Sequence, residues 1–139
     1  MEGAIPRGRV LEEQRPFLRI TVVEDQGDIR ELLSDALERR GYTVTTFANG
    51  REAVESMLSS PPDVAVIDIG LPELNGYEVA RTVRAERPGV RLIALTGYGQ
   101  AKDRLAAFAA GFDVHLVKPA TCDEIIHALY PEAFSPSAA

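Results

Sequence analysis

The chain has 139 residues, 45% of them hydrophobic and 26% charged, and a formal net charge of −6 at pH 7. That length makes one ordinary domain, which buries roughly two-thirds of its unfolded surface and holds a core without disulfide or metal staples. The balance excludes disordered and collagen-like classes, and with no run of Lys and Arg to neutralise phosphates it sets aside duplex nucleic acid as a partner.

A single cysteine, Cys122, excludes an intrachain disulfide and a Cys-based metal cluster, fits a reducing compartment, and reads as an inert helix residue. After Arg7 and Arg9 come Glu12, Glu13 and Gln14 rather than an apolar stretch, so no export signal is visible. No apolar run approaches the ~20 residues of a membrane span. The cytoplasm is the expected location.

The first element is a strand at LRITVV (18–23), followed by a helix whose stripe Ile29, Leu32, Leu33, Ala36 and Leu37 stops at Gly41. YTVTTF (42–47) is the second strand, and NGRE opens a second helix in which Asn49 caps, Glu52 reaches back, and Ala53, Val54, Met57 and Leu58 form the apolar face. VAVIDI (64–69) is the third strand, with a helix from Gly76 to Glu86 before Pro88. VRLIAL (90–95) precedes a fourth helix from about Ala101 to Ala110, ended by Gly111, with GYGQ (97–100) as a flexible lead-in too poor in glycine to cradle a phosphate. VHLV (114–117) is the last strand, and TCDE opens a fifth helix with a Thr121–Glu124 capping box that stops before Pro131. The runs are short and rich in β-branched residues, which favours strand over helix.

Strict alternation of strand and helix predicts an α/β fold with a parallel sheet covered on both faces. Right-handed crossovers leave few topologies, of which the five-stranded order 2-1-3-4-5 is a leading candidate. Residues 1–16 and 131–139 read as linker or tail around a domain at 17–130.

Ligands of open α/β sheets bind outside the carboxyl ends of the strands, where strand order reverses. Glu24 and Asp25 follow the first strand, Asp68 ends the third, and Thr96 and Lys118 follow the fourth and fifth. Three carboxylates at one place repel by roughly 3 kcal/mol per pair at ~5 Å and an effective dielectric of ~20. A hard divalent cation offsets that repulsion, and oxygen donors favour Mg2+ over Zn2+. With the Thr96 hydroxyl and Lys118 beside it, such a site is a receptacle for a phosphoryl group.

VVED with a following R, VIDIGLPELNGYEVA, IALTG and VKP resemble, in order and spacing, the receiver domain of two-component response regulators, over about residues 17–130. The surroundings of DIGLP and LTGYGQ are similar to receivers attached to hybrid sensor kinases. The resemblance implies a flavodoxin-like doubly wound sheet with five helices, and a signalling domain rather than an enzyme with a separate substrate. It makes Asp68 the phosphoacceptor from a histidine kinase or phosphotransfer protein. Asp25 becomes a direct Mg2+ ligand, Glu24 a more distant one, and Gly70 the donor of a carbonyl to the metal. Thr96 and Lys118 would hold phosphoryl oxygens, and Lys118-Pro119 would be cis.

Where the family carries an aromatic switch residue, this chain has His115, which either follows Thr96 inward or is a strand-end histidine facing solvent. Tyr98 is placed to cover part of the site. The fourth helix, with small residues Ala107 and Ala110 on its face, the last strand and the last helix form the expected contact surface for a partner or a second copy. Two other readings are a pseudo-receiver that binds without phosphorylation, and a flavodoxin-like phosphatase. The second would need an acid beyond Asp68 that DIG does not supply.

Overall fold

A computed structural model describes residues 18–97 and 99–130; the expected tails at 1–16 and 131–139, and Tyr98, lie outside the described residues. Strands β1 (Arg19–Val23), β2 (Thr43–Phe47), β3 (Val64–Asp68), β4 (Arg91–Thr96) and β5 (Val114–Val117) alternate with helices α1 (Gly27–Arg39), α2 (Gly50–Ser59), α3 (Gly76–Glu86), α4 (Ala101–Ala110) and α5 (Cys122–Ala128). All strands pair in parallel in the order β2-β1-β3-β4-β5. Every residue of the central β3 is buried, because helices cover both faces of the sheet, and up to Asp68 its sequence is accordingly a continuous apolar run rather than an alternating one. β2, at the edge, is only partly buried and correspondingly rich in threonine.

The period of two along the strands splits the core. Val64, Val66 and Leu95 pack with Leu33, Leu37 and Ile125 on the α1/α5 side, whereas Ala65, Ile67 and Ala94 pack with Met57, Val83 and Ala107 on the other. Helix starts follow their caps. Asn49 accepts from the Glu52 N–H at 2.9 Å, but the expected return bond from the Glu52 side chain does not form, whereas two-way capping boxes form at Asn75–Glu78 and Thr121–Glu124. Helix α4 ends at Gly111 in the left-handed region.

Two other expectations need correction. Leu32 is 69% exposed: the buried stripe of α1 is narrower than its apolar residues suggest, running through Leu33 and Leu37. Ala107 and Ala110 are not a contact face but core, with 0% and 2% exposure, because their small side chains let α4 lie close against the sheet. The large outward apolar residues of α4 are Leu105 and Phe108.

Opposite the carboxyl edge, Arg84 ties α3 to the loops around β4. It donates to the carbonyls of Gly111 (2.8 Å), Pro88 (2.7 Å) and Val90 (2.9 Å) and pairs with Asp113 at 2.7 Å. Arg84→Ala is expected to cost about 2–3 kcal/mol, since several acceptors lose a charged donor at once. A lower urea midpoint with unchanged binding at the distant carboxyl edge is the checkable outcome.

Candidate functional site

At the carboxyl edge, β1 and β3 are neighbours whose following connections leave in opposite directions, and a cleft of about 300 Å3 opens there. Asp25, Asp68, Gly70, Thr96 and Lys118 line it. Glu24 lies beneath, with no exposed surface. His115 does not line the cleft. It pairs in register with Ala94, two positions back from Thr96, and is partly buried near Asp103 and Arg104 of α4.

Each side chain is held by backbone that the sheet fixes. Asp68 is the last residue of β3; Ile69 N–H donates to Leu95 O at 2.9 Å, and Gly70 N–H donates to Asp68 Oδ1 at 3.0 Å. Glu24 N–H continues the sheet by donating to Phe47 O, and the carboxylate turns back to accept from Gln26 N–H at 3.2 Å. Lys118 N–H donates to Thr96 O at 2.8 Å, joining the ends of β4 and β5, and the Lys118-Pro119 bond is cis, as expected.

Ligand oxygens of Glu24, Asp25 and Asp68 all lie within 4.8 Å of one another. Lys118 Nζ sits between two of these acids, 3.2 Å from Asp68 Oδ2 and 3.3 Å from Glu24 Oε1. Burial pushes the Glu24 carboxyl above its usual range. The Gln26 N–H opposes that, Asp68 adds to it, and Lys118 opposes it. For Lys118 burial alone works against the charge, but Asp68 and then Glu24 outweigh it and raise its pKa.

One lysine charge leaves three carboxylates under-compensated. Glu24 Oε1 is buried and has the ion pair with Lys118 but no well-formed hydrogen bond. The donors are all oxygens, without thiolate or imidazole. The set fits a hard divalent cation that keeps water in its coordination sphere.

Two participants were not assigned a role from sequence. Arg30 donates to the Glu24 carbonyl at 2.8 Å and so fixes the turn that presents both acids; in the sequence it stands out only as the arginine that follows VVED, which names no contact. Glu73, in the loop after Asp68, adopts φ 62°, a left-handed conformation that no local pattern announced.

A family model described as the response regulator receiver domain matches residues 20–130. The chain is 34% identical over 107 residues to the probable transcriptional regulatory protein TcrX of Mycobacterium tuberculosis, covering 77% of this chain and 46% of that protein. It is 39% identical over 108 residues to TcrA of the same organism, covering 78% of this chain and 43% of TcrA. It thus spans less than half the length of these two relatives. Among solved structures, a response regulator protein from Burkholderia pseudomallei, with a phosphorylated aspartic acid, calcium ion and citrate, superposes with a TM-score of 0.79 at 28% identity, over 88% of this chain and 72% of that one. The acid cluster thus stands on the scaffold these proteins share, and the chain belongs to the response regulator receiver domain family of two-component systems.

Proposed function

We propose that Asp68 is the phosphoacceptor of a two-component or phosphorelay pathway. A carboxylate oxygen of Asp68 attacks the phosphorus of a phosphohistidine on a partner kinase or phosphotransfer protein. The O–P bond forms, the P–N bond breaks, and the imidazole leaves with its electron pair. The observation that carries this reading is the placement of Asp68 at the strand end, 3.2 Å from Lys118 and within 4.8 Å of two further acids. Buried β3 gives the nucleophile a rigid mount, Gly70 N–H orients it, and Lys118 balances charge on the incoming phosphoryl oxygens. Asp25, Glu24, Asp68 and the Gly70 carbonyl would hold Mg2+, which supplies additional positive charge for those oxygens. The phosphorylated aspartic acid and calcium ion of the Burkholderia relative support this assignment.

The output is a change in protein contacts. Phosphate adds charge and acceptors at Asp68; the Thr96 hydroxyl is drawn to them, and His115 follows inward along β5. Leu105 and Phe108 on α4 and Val117 on β5 are exposed apolar residues available to a partner or a second copy. The machinery works equally in a stand-alone regulator or as the receiver segment of a hybrid kinase. Incubation with a small phosphodonor and Mg2+ tests the reading: wild type takes a hydroxylamine-labile label that Asp68→Asn lacks. No label on wild type, or equal label on both, overturns it.

The histidine brings a pH dependence that a phenylalanine or tyrosine lacks. Burial lowers the His115 pKa, Arg104 lowers it further, and Asp103 partly opposes them. The unfolded chain therefore takes up this proton first, so stability from His115 is full above about pH 6.5 and is lost as pH falls below it. An inward His115 is more buried still, so acid should also disfavour the activated state. Binding of a beryllofluoride mimic between about pH 7.5 and 5.5 is expected to weaken more in wild type than in His115→Phe.

A further inference from the structure

The loop that carries Asp68 is packed between two glycines whose side-chain space is already occupied by backbone. A Cβ at Gly76, the first residue of α3, would stand 2.6 Å from the carbonyl oxygen of Asp68 and 2.7 Å from the Cα of Ile69. A Cβ at Gly50, the first residue of α2, would stand 2.5 Å from the carbonyl oxygen of Leu74 and 2.8 Å from Val79 Cγ2. Neither glycine is among the residues with positive φ. The requirement is therefore for space, not for backbone freedom. Both glycines are buried, and the Gly76 N–H donates to the Ile69 carbonyl at 3.1 Å, drawing the start of α3 onto the residue after Asp68. Between the two contacts, Glu73 holds the left-handed turn that brings Leu74 to α2.

Close-packed interiors transmit such a displacement instead of absorbing it. A methyl at Gly76 meets main-chain atoms of Asp68 and Ile69 that cannot swing aside as a side-chain tip would, so the segment carrying Asp68 and Gly70 must shift by some tenths of an ångström.

We propose that Gly76, and Gly50 through Leu74, are positioning residues for phosphoryl transfer: by admitting the β3–α3 loop to this depth they set Asp68 against Lys118 and Gly70 against the acid cluster. This rests on the reading of Asp68 as phosphoacceptor. Misplacement of reacting groups by about 1 Å costs ~100-fold in rate, so a shift of some tenths of an ångström in Gly76→Ala is expected to slow labelling of Asp68 by about 4–10-fold. Mg2+ affinity should weaken by about tenfold, since an ångström-scale cation site tolerates little displacement of its donors. Gly50→Ala, acting at one remove, should show the same two losses to a smaller degree.

The comparison uses the full chain, with phosphodonor labelling rates, Mg2+ titration and urea midpoints measured for wild type, Gly76→Ala, Gly50→Ala and the core control Val83→Ala. The control is expected to lose stability while keeping wild-type labelling and Mg2+ affinity under folding conditions. Labelling and Mg2+ affinity within twofold of wild type in folded Gly76→Ala would overturn the positioning role. Should Gly76→Ala not fold, Gly50→Ala decides by the same measure. If neither folds, the glycines serve only the fold and the proposal is wrong. A wild type that takes no label overturns the phosphoacceptor reading instead, and the Mg2+ titration then still judges the loop geometry.

Discussion

Lys118→Met is expected to slow labelling of Asp68 by about 100-fold or more, the scale on which removing one preorganised electrostatic partner acts. It should also destabilise the metal-free protein by about 2–3 kcal/mol, because a buried charge loses its partner. The figure is reduced from the full buried-pair cost because the Lys118 side chain is 27% exposed. The effect on stability carries a pH signature. In the wild type burial already raises the Glu24 carboxyl above 4.5, and Lys118 is one of the groups opposing that rise. Without the lysine the folded pKa climbs further while the unfolded value stays put. The folded state then binds the extra proton, so the variant loses stability as pH rises through that folded value and regains it as pH falls toward 4.5. Urea midpoints at about pH 7.5 and 5.5 should therefore differ less between variant and wild type at the lower pH. Saturating Mg2+ should restore part of the stability at the higher pH, by replacing the missing positive charge.

Asp25→Asn should act in opposite directions with and without metal. Asp25 is exposed, so water screens its repulsion with Glu24 and Asp68, and its removal is expected to stabilise the metal-free protein by only about 1 kcal/mol. In wild type, Mg2+ at about 100 times its Kd should add about 2.7 kcal/mol, a rise in Tm on the order of 10 °C. The variant should lose most of that rise. A thermal melt with and without Mg2+ checks both arms: the variant melts above wild type in chelator and below it in Mg2+.

The features that sequence reveals here are those that depend on neighbours along the chain. Buried parallel strands read as continuous apolar runs, and β3 does up to Asp68; helices must satisfy their first N–H groups, and Asn49 and Thr121 do so where expected. The acid cluster was legible because strand alternation fixes which residues end at the carboxyl edge. Residues whose role depends on distance across the fold were not legible. The small residues Ala107 and Ala110 look the same in sequence whether they admit a partner or admit the helix to its own sheet, and they do the latter. Leu32 belongs to the apolar period of α1 but borders a surface groove with Pro119 and Ala120, from a loop far along the chain. Gly50 meets Leu74, and Arg84 meets Gly111, across separations that no local pattern encodes.

The most direct measurement is to trap the acyl phosphate itself. After incubation with a small phosphodonor and Mg2+, borohydride reduces a phosphorylated aspartate to homoserine, and peptide mass spectrometry locates the residue changed. The conversion is expected at Asp68, dependent on phosphodonor and reduced in Lys118→Met. Conversion at Asp25 with Asp68 intact, or no conversion in a folded wild type, would contradict the account.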